Sequence, residues 1–185
     1  MLSRKRSILL GVASVLFLFV CLWVLSESGA RLFSGRIRED ERGMEGVLYR
    51  VTRSVDGDTI ELEDGRKVRY IGINAPETVD PRRKVECFGK EASDFNVGLV
   101  EGKKVRLEKD ISETDRYGRL LRFVYLEDGG FVNEILVREG YAYASAYGPD
   151  IARKELFAEA EKDARKNRRG LWASDTCDGH RESTY

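Results

Sequence analysis

The sequence predicts an α+β fold: a small closed barrel of five short strands carrying three helices, preceded by an N-terminal hydrophobic helix. Three observations carry that expectation. Apolar and polar residues alternate with period two in five segments between Val47 and Tyr125, three further segments repeat apolar residues at helical spacing, and an uncharged run fills residues 8–25.

The uncharged run, Ile8 to Leu25, is interrupted only by Gly11 and Ser14. At about 1.5 Å rise per residue it would span ~27 Å, close to the ~30 Å hydrocarbon core of a bilayer. It exceeds the roughly 7–15 residues of a cleavable signal core, and Trp23 near its end suits an interfacial anchor. Residues 1–25 are therefore read as a signal-anchor, with secretion after cleavage near Ala30 as the alternative. Arg4, Lys5 and Arg6 ahead of the run favour an inside N-terminus and an exported domain, although Arg31, Arg36, Arg38 and Arg42 follow it. Cys21 sits behind the bulky Val20, which argues against a lipid-modified cysteine.

Residues 26–45 are polar, of mixed charge, and read as a tether; the domain is expected over 46–175, with a tail at 176–185. The whole chain has 32 basic and 32 acidic residues, and setting aside the seven and five of the first 45 leaves 25 against 27. A near-neutral domain excludes a broadly basic glove for polyanions, so any nucleic-acid contact must be local.

The domain opens with Val47, Tyr49 and Val51 alternating as the first strand. Ile60 with Leu62, and Val68 with Tyr70 and Ile71, form the next two around the hairpin signal Asp64-Gly65. A polar loop follows from Pro81 to Val85, then Ala92, Phe95 and Leu99 mark a helix over about 86–101, stopped by Gly102. Val105 and Leu107 alternate as a fourth strand. Leu121, Phe123 and Tyr125 form the fifth, joined to it by the charged loop Lys109 to Arg119 and closed by Glu127-Asp128-Gly129-Gly130.

A short second helix is predicted over 132–139, with Ile135 and Leu136 on its core face and Gly140 as its stop. Asp150 is a plausible N-cap for a third helix over about 151–168, where Ala152, Leu156, Ala160 and Ala164 recur every four residues and Gly170 ends the element. Trp172 should pack back onto it. Five antiparallel strands with a helix after the third make an OB-type barrel, a fold that binds nucleic acid or sugars and does not by itself say which.

Chemistry concentrates in two places. Val55-Asp56-Gly57-Asp58-Thr59 precedes Arg69-Tyr70-Ile71-Gly72-Ile73-Asn74-Ala75-Pro76-Glu77-Thr78, so a hairpin can turn Asp58, Arg69 and Glu77 toward one cavity. Asp115-Arg116-Tyr117-Gly118-Arg119 then offers a second guanidinium, Arg119, with Arg116 and Tyr117 beside it. Singly, each acid is an ordinary turn or loop residue. Together, two arginines from separate strands can clamp phosphate oxygens with forked bonds that lysine cannot make.

Besides Cys21, only Cys87 and Cys177 occur; they either bridge the first helix to the tail in an oxidising compartment or remain free thiols. Without a CxxC pair, and with His180 as the single histidine, a zinc site of the usual kind is excluded. Tyr141, Tyr143 and Tyr147 are either base contacts or packing residues.

In these motifs, and in E-C-F-G-K-E-A-S, V-N-E-I-L-V-R-E-G and the closing G-L-W, the chain resembles the staphylococcal nuclease family from about Gly46 to Trp172. The resemblance implies that Asp58 binds Ca2+, with Asn74 and the Ala75 carbonyl completing the protein ligands and Asp56 supporting them. It further implies Glu77 as general base, Arg69 and Arg119 on the scissile phosphate, and Arg116 and Tyr117 as substrate contacts. The reaction implied is hydrolysis of DNA and RNA, leaving 3′-phosphate ends; nothing in the sequence specifies an oligomer, and a monomer is expected. The family's type member carries aspartate and threonine where this chain has Asn74 and Ala75. One formal charge fewer predicts weaker calcium binding rather than a lost site. The alternative is a weak or inactive membrane-tethered nucleic-acid-binding module.

Overall fold

A computed structural model describes residues 46–78 and 85–180. The expected membrane segment 8–25 and tether 26–45 lie outside the described residues, as does most of the loop 81–85. Among the described residues no helix is long and apolar enough to cross a membrane.

Among the described residues, seven strands and three helices run in the order β1 (Leu48–Asp56), β2 (Thr59–Leu62), β3 (Lys67–Tyr70), β4 (Ile73–Asn74), α1 (Gly89–Val100), β5 (Lys104–Glu108), β6 (Leu120–Leu126), α2 (Val132–Arg138), β7 (Tyr143–Ala144) and α3 (Lys154–Lys166). A short 3-10 turn, Gly170–Trp172, follows. The closed barrel has the order β1-β2-β3-β6-β5, the five-stranded OB-type architecture that the alternation predicts. Two register irregularities in β1, between Val51 and Arg53 and between Ser54 and Asp56, bend that nine-residue strand so that it can pair with both β2 and β5.

One pairing corrects the all-antiparallel expectation. β3 and β6 run parallel, with Arg69 opposite Leu121, because the chain reaches β6 only after α1 and β5 have carried it around the barrel. β4 and β7 form a separate two-stranded ladder, pairing Asn74 with Tyr143, and two-residue strands leave no periodicity to read.

Val51, Ile60, Val68 and Val105 are fully buried as the alternation predicts; in β6 the buried residues are Leu120, Phe123 and Val124, with Leu121 and Tyr125 half-buried, and Leu136, Phe157 and Ala160 cover the core from α2 and α3. Phe123 packs edge-on to Phe131 at 5.9 Å and lies 6.2 Å from Phe157, extending the barrel core into the helices.

Three helix details differ from the sequence expectation. α1 begins at Gly89, not residue 86, because Phe88 takes a left-handed backbone at φ 65° and interrupts the helix there. α2 buries Val132, Asn133, Leu136 and Val137, leaving Ile135 half-buried. α3 begins at Lys154, and Asp150 does not cap it; its carboxylate Oδ1 instead accepts the backbone N–H groups of Ile111 and Ser112 at 2.9 and 2.8 Å. The buried stripe of α3 is Phe157, Ala160 and Ala164, while Ala152 and Leu156 are exposed. Phe157 replaces Leu156 because Gly72, at φ +77°, leaves room for its ring: a Cβ there would lie 2.3 Å from the ring.

At the C-terminal end, Trp172 packs back as expected, edge-on to Tyr143 at 5.3 Å and beneath the Arg165 guanidinium at 3.6 Å. Cys87 and Cys177 form a disulfide, which settles the two alternatives in favour of the bridge. Tyr141 stacks on Phe95 at 3.9 Å and Tyr143 is buried, so both are packing residues; Tyr147 is 85% exposed.

Candidate active site

The acidic turn between β1 and β2 is a close-packed element. Gly57 lies so near β4 and α1 that a Cβ would stand 2.6 Å from the Ala75 Cβ and 3.2 Å from that of Ala92, so only glycine lets the turn settle there. Beneath it, Asn96 of α1 donates to Ser54 Oγ at 3.0 Å and to the Asp56 carbonyl at 2.9 Å, and accepts from the Tyr70 hydroxyl at 3.1 Å. This network is fully satisfied, which is what makes a buried asparagine tolerable.

The turn presents two carboxylates. Asp56 Oδ1 accepts the Asp58 N–H at 3.0 Å, a bond that closes the turn. Asp58 is 6% exposed; its Oδ2 accepts the Ala75 N–H at 2.6 Å and is ion-paired with Arg69 Nη1. Burial, and then the negative charge of Asp58, push the Asp56 carboxyl up to about 7.

Arg69 is the hub. Its strand places it opposite Thr59 of β2, and its guanidinium donates to Asn74 Oδ1 at 2.9 Å and to the Ile73 carbonyl at 3.3 Å as well as pairing with Asp58. The β4–β7 ladder supplies the rigid backbone from which Asn74 meets it.

Arg119 arrives from the other side, at the entry to β6. Asp115 accepts the N–H groups of Tyr117 and Arg119 at 2.9 and 3.0 Å and the Arg119 Nε at 2.7 Å, folding the loop around Gly118 and aiming the guanidinium. Burial raises the Asp115 carboxyl, but the bonds from Arg119 outweigh it and hold the group below the usual carboxylate range. Arg116 stacks over the Tyr117 ring at 4.8 Å and donates to its hydroxyl at 2.7 Å; both are exposed.

Two cavities meet at the arginines. One, of about 190 Å³, is lined by Asp56, Asp58, Asn74, Glu77, Arg69 and Arg119 among others. The other, of about 530 Å³, shares Arg69 and Arg119 and continues past Arg116, Tyr117, Tyr147 and Asp150. The residues singled out in the sequence for this chemistry therefore line one or the other of two cavities that share Arg69 and Arg119. Among the described residues no cluster of three or more His, Cys, Asp or Glu is placed to hold a metal; the side chains with oxygen donors that line the smaller cavity are Asp56, Asp58, Glu77 and the amide of Asn74.

Asp115 and Asp150 were not singled out as site residues. Asp115 had a readable signal, an acid four residues before an arginine across a glycine turn. Asp150 had none, since its partners lie 38 and 39 residues earlier in the chain.

A closed barrel with the order β1-β2-β3-β6-β5 and a cavity lined by acidic side chains and two arginines defines the class as an OB-type barrel. Residues 67–174 match the family model described as "Staphylococcal nuclease homologue". The chain is 38% identical over 170 residues to a thermonuclease of Staphylococcus hyicus, covering 90% of this chain and 96% of the relative. It is also 39% identical over 141 residues to a thermonuclease of Staphylococcus intermedius, covering 75% and 83%, and 39% identical over 132 residues to endonuclease YncB of Bacillus subtilis, covering 69% and 62%. The chain belongs to the staphylococcal nuclease family.

Proposed function

We propose that this chain is a calcium-dependent nuclease that hydrolyses phosphodiester bonds of DNA and RNA with little sequence specificity and leaves 3′-phosphate ends. The observation that carries the reading is that Arg69 of β3 and Arg119, from the loop that enters β6, line the same cavity as Asp58, Asn74 and Glu77. The names of the relatives, thermonucleases and an endonuclease, agree with it.

Each residue has a role in such a reaction. A phosphodiester repels nucleophiles because it is anionic, so Arg69 and Arg119 would neutralise its non-bridging oxygens and hold it in place. Glu77 would take the proton of the attacking water. Water's oxygen then bonds to phosphorus while the bond to the 5′ oxygen breaks, and the phosphate stays on the 3′ side. Arg116 and Tyr117 would hold the strand beyond the scissile bond. The all-oxygen donor set of Asp58, Asn74 Oδ1 and the Ala75 carbonyl, with Asp56 behind it, fits a hard cation such as calcium. Calcium bound there supplies Lewis-acid neutralisation of the phosphate.

The Cys87–Cys177 bridge supports an oxidising compartment, and with it export of the domain, tethered through residues 8–25 or released by cleavage near Ala30.

A gel overlay with DNA or RNA tests the reading. Cleavage should appear with calcium and vanish in EGTA, and the 5′-hydroxyl ends produced should accept phosphate from polynucleotide kinase without phosphatase treatment. Undiminished cleavage in EGTA removes the metal from the mechanism. Binding without cleavage in calcium favours the inactive nucleic-acid-binding module.

A further inference from the structure

The general base proposed above sits on a short connection. Glu77 lies three residues past the end of β4. A catalytic carboxylate needs a fixed backbone, because a shift of about 1 Å in a reacting group costs on the order of 100-fold in rate.

What fixes this backbone is Glu86. The Glu86 N–H donates to the Glu77 carbonyl at 2.9 Å, and the Glu77 N–H donates to the Glu86 carboxylate Oε2 at 3.1 Å. Reciprocal bonds of this kind hold both peptide units flanking the Glu77 side chain. The Glu77 carboxylate Oε1 in turn accepts the Thr78 N–H at 2.9 Å, so its orientation follows that of its backbone.

The backbone around Glu86 is held to the start of α1 and, through the next residue, to the C-terminal segment. The Glu86 carbonyl accepts the Gly89 N–H at 3.0 Å at the start of α1. Gly89 presses against the connection so closely that a Cβ would stand 2.9 Å from the Glu77 carbonyl oxygen. Next in the chain, Cys87 is bridged to the buried Cys177, whose segment is held by the Gly179 N–H donating to the Leu171 carbonyl at 2.8 Å.

We propose that Glu86 is a positioning residue for Glu77, and that the Cys87–Cys177 bridge keeps it in place. The proposal rests on the reading of Glu77 as general base. It makes the disulfide part of the catalytic support, since the covalent link ends one residue from the carboxylate that grips Glu77.

The test compares wild type, Glu86→Ala and Glu86→Gln in the full-length chain, with calcium and DNA, below each variant's melting transition. Glutamine keeps an oxygen acceptor for the Glu77 N–H; alanine does not. Glu86→Ala should lose about 100-fold in kcat with KM within about twofold, while Glu86→Gln should stay within about threefold of wild type. Reducing the bridge with a thiol should lower wild-type kcat about tenfold and leave Glu86→Ala nearly unchanged, because the clasp is already gone. Without calcium or substrate, the Glu77 amide proton should exchange faster in Glu86→Ala than in wild type and Glu86→Gln; this reads the clasp directly. Unchanged kcat in Glu86→Ala, a loss confined to KM, or equal losses in both variants would overturn the proposal. A wild type that binds DNA yet never cleaves it would overturn the nuclease reading, and the positioning role with it; that outcome is distinct from a cleaving wild type indifferent to Glu86.

Discussion

Replacing Asp56 by asparagine should change how stability depends on pH. Burial and the charge of Asp58 raise the Asp56 carboxyl from 3.8 to about 7 in the fold, so the folded chain binds a proton there that the unfolded chain has already released. A raised folded value means the contribution is fully present below the unfolded pKa near 4 and is lost as pH climbs through about 7. Between pH 5 and 8, about two pH units of that difference are traversed, at most about 2.7 kcal/mol at 1.36 kcal/mol per unit. Asp56 is only half-buried, and water at the cavity reduces the expected effect to about 1.5 kcal/mol. The assay is urea unfolding in EDTA at pH 5 and pH 8. Wild type should lose stability relative to Asp56→Asn on going to pH 8, appearing as a midpoint difference of about 0.5–1 M urea at ordinary m-values. Asparagine keeps an oxygen for the Asp58 N–H, so the turn survives the change. Parallel pH dependences in the two proteins would refute the reasoning, since they would mean Asp56 is ionised throughout this range.

Asn74→Asp restores a charge beside the proposed calcium site and should tighten calcium binding about tenfold by calorimetric titration; unchanged affinity would remove residue 74 from the ligand set. Arg119→Ala should cut the cleavage rate by about 10³ while the melting temperature moves little, because the guanidinium is partly exposed and paired only locally with Asp115. Near-normal activity in that variant would sink its assignment to the phosphate. On α3, Phe157→Ala should cost about 3–5 kcal/mol in denaturant unfolding and Leu156→Ala less than about 1.5, and a reversed order would contradict the observed helix face.

The barrel was legible because Val51, Ile60 with Leu62, Val68 with Tyr70, and Val105 stand at alternate positions of short apolar segments, a local property that survives the irregularities of β1 and the adjacent buried pair Phe123 and Val124 in β6. The parallel contact of β3 with β6 is a property of closure, which no local pattern encodes. Helix α3 was misread by one position because its alanines at 160 and 164 fit a stripe through Leu156 as well as one through Phe157, and the choice is made by the space beside Gly72, far away in sequence. Asp150 looked like a cap because aspartate before a helix usually is one; its carboxylate was claimed instead by the loop at Ile111 and Ser112. At the site, the residue types announced their chemistry, and Asp56, Asp58, Arg69, Asn74, Ala75, Glu77 and Arg119 do border a common cavity, but the bonding among them was not readable. That Asn74 accepts from Arg69, and that Asp115 aims Arg119, depend on side-chain directions set only by the finished fold.

Arg69 and Arg119 form the wall shared by the smaller, oxygen-lined cavity and the larger one beside it. A cation entering the first would compete with Arg69 for Asp58 and Asn74, and an anion entering the second would draw on the same guanidinium from the opposite side. The two occupancies are then thermodynamically linked. Whatever factor the anion contributes to cation affinity, the cation must return to anion affinity in equal measure. In the shared wall, the cleft thus has a means of favouring both guests together over either one alone.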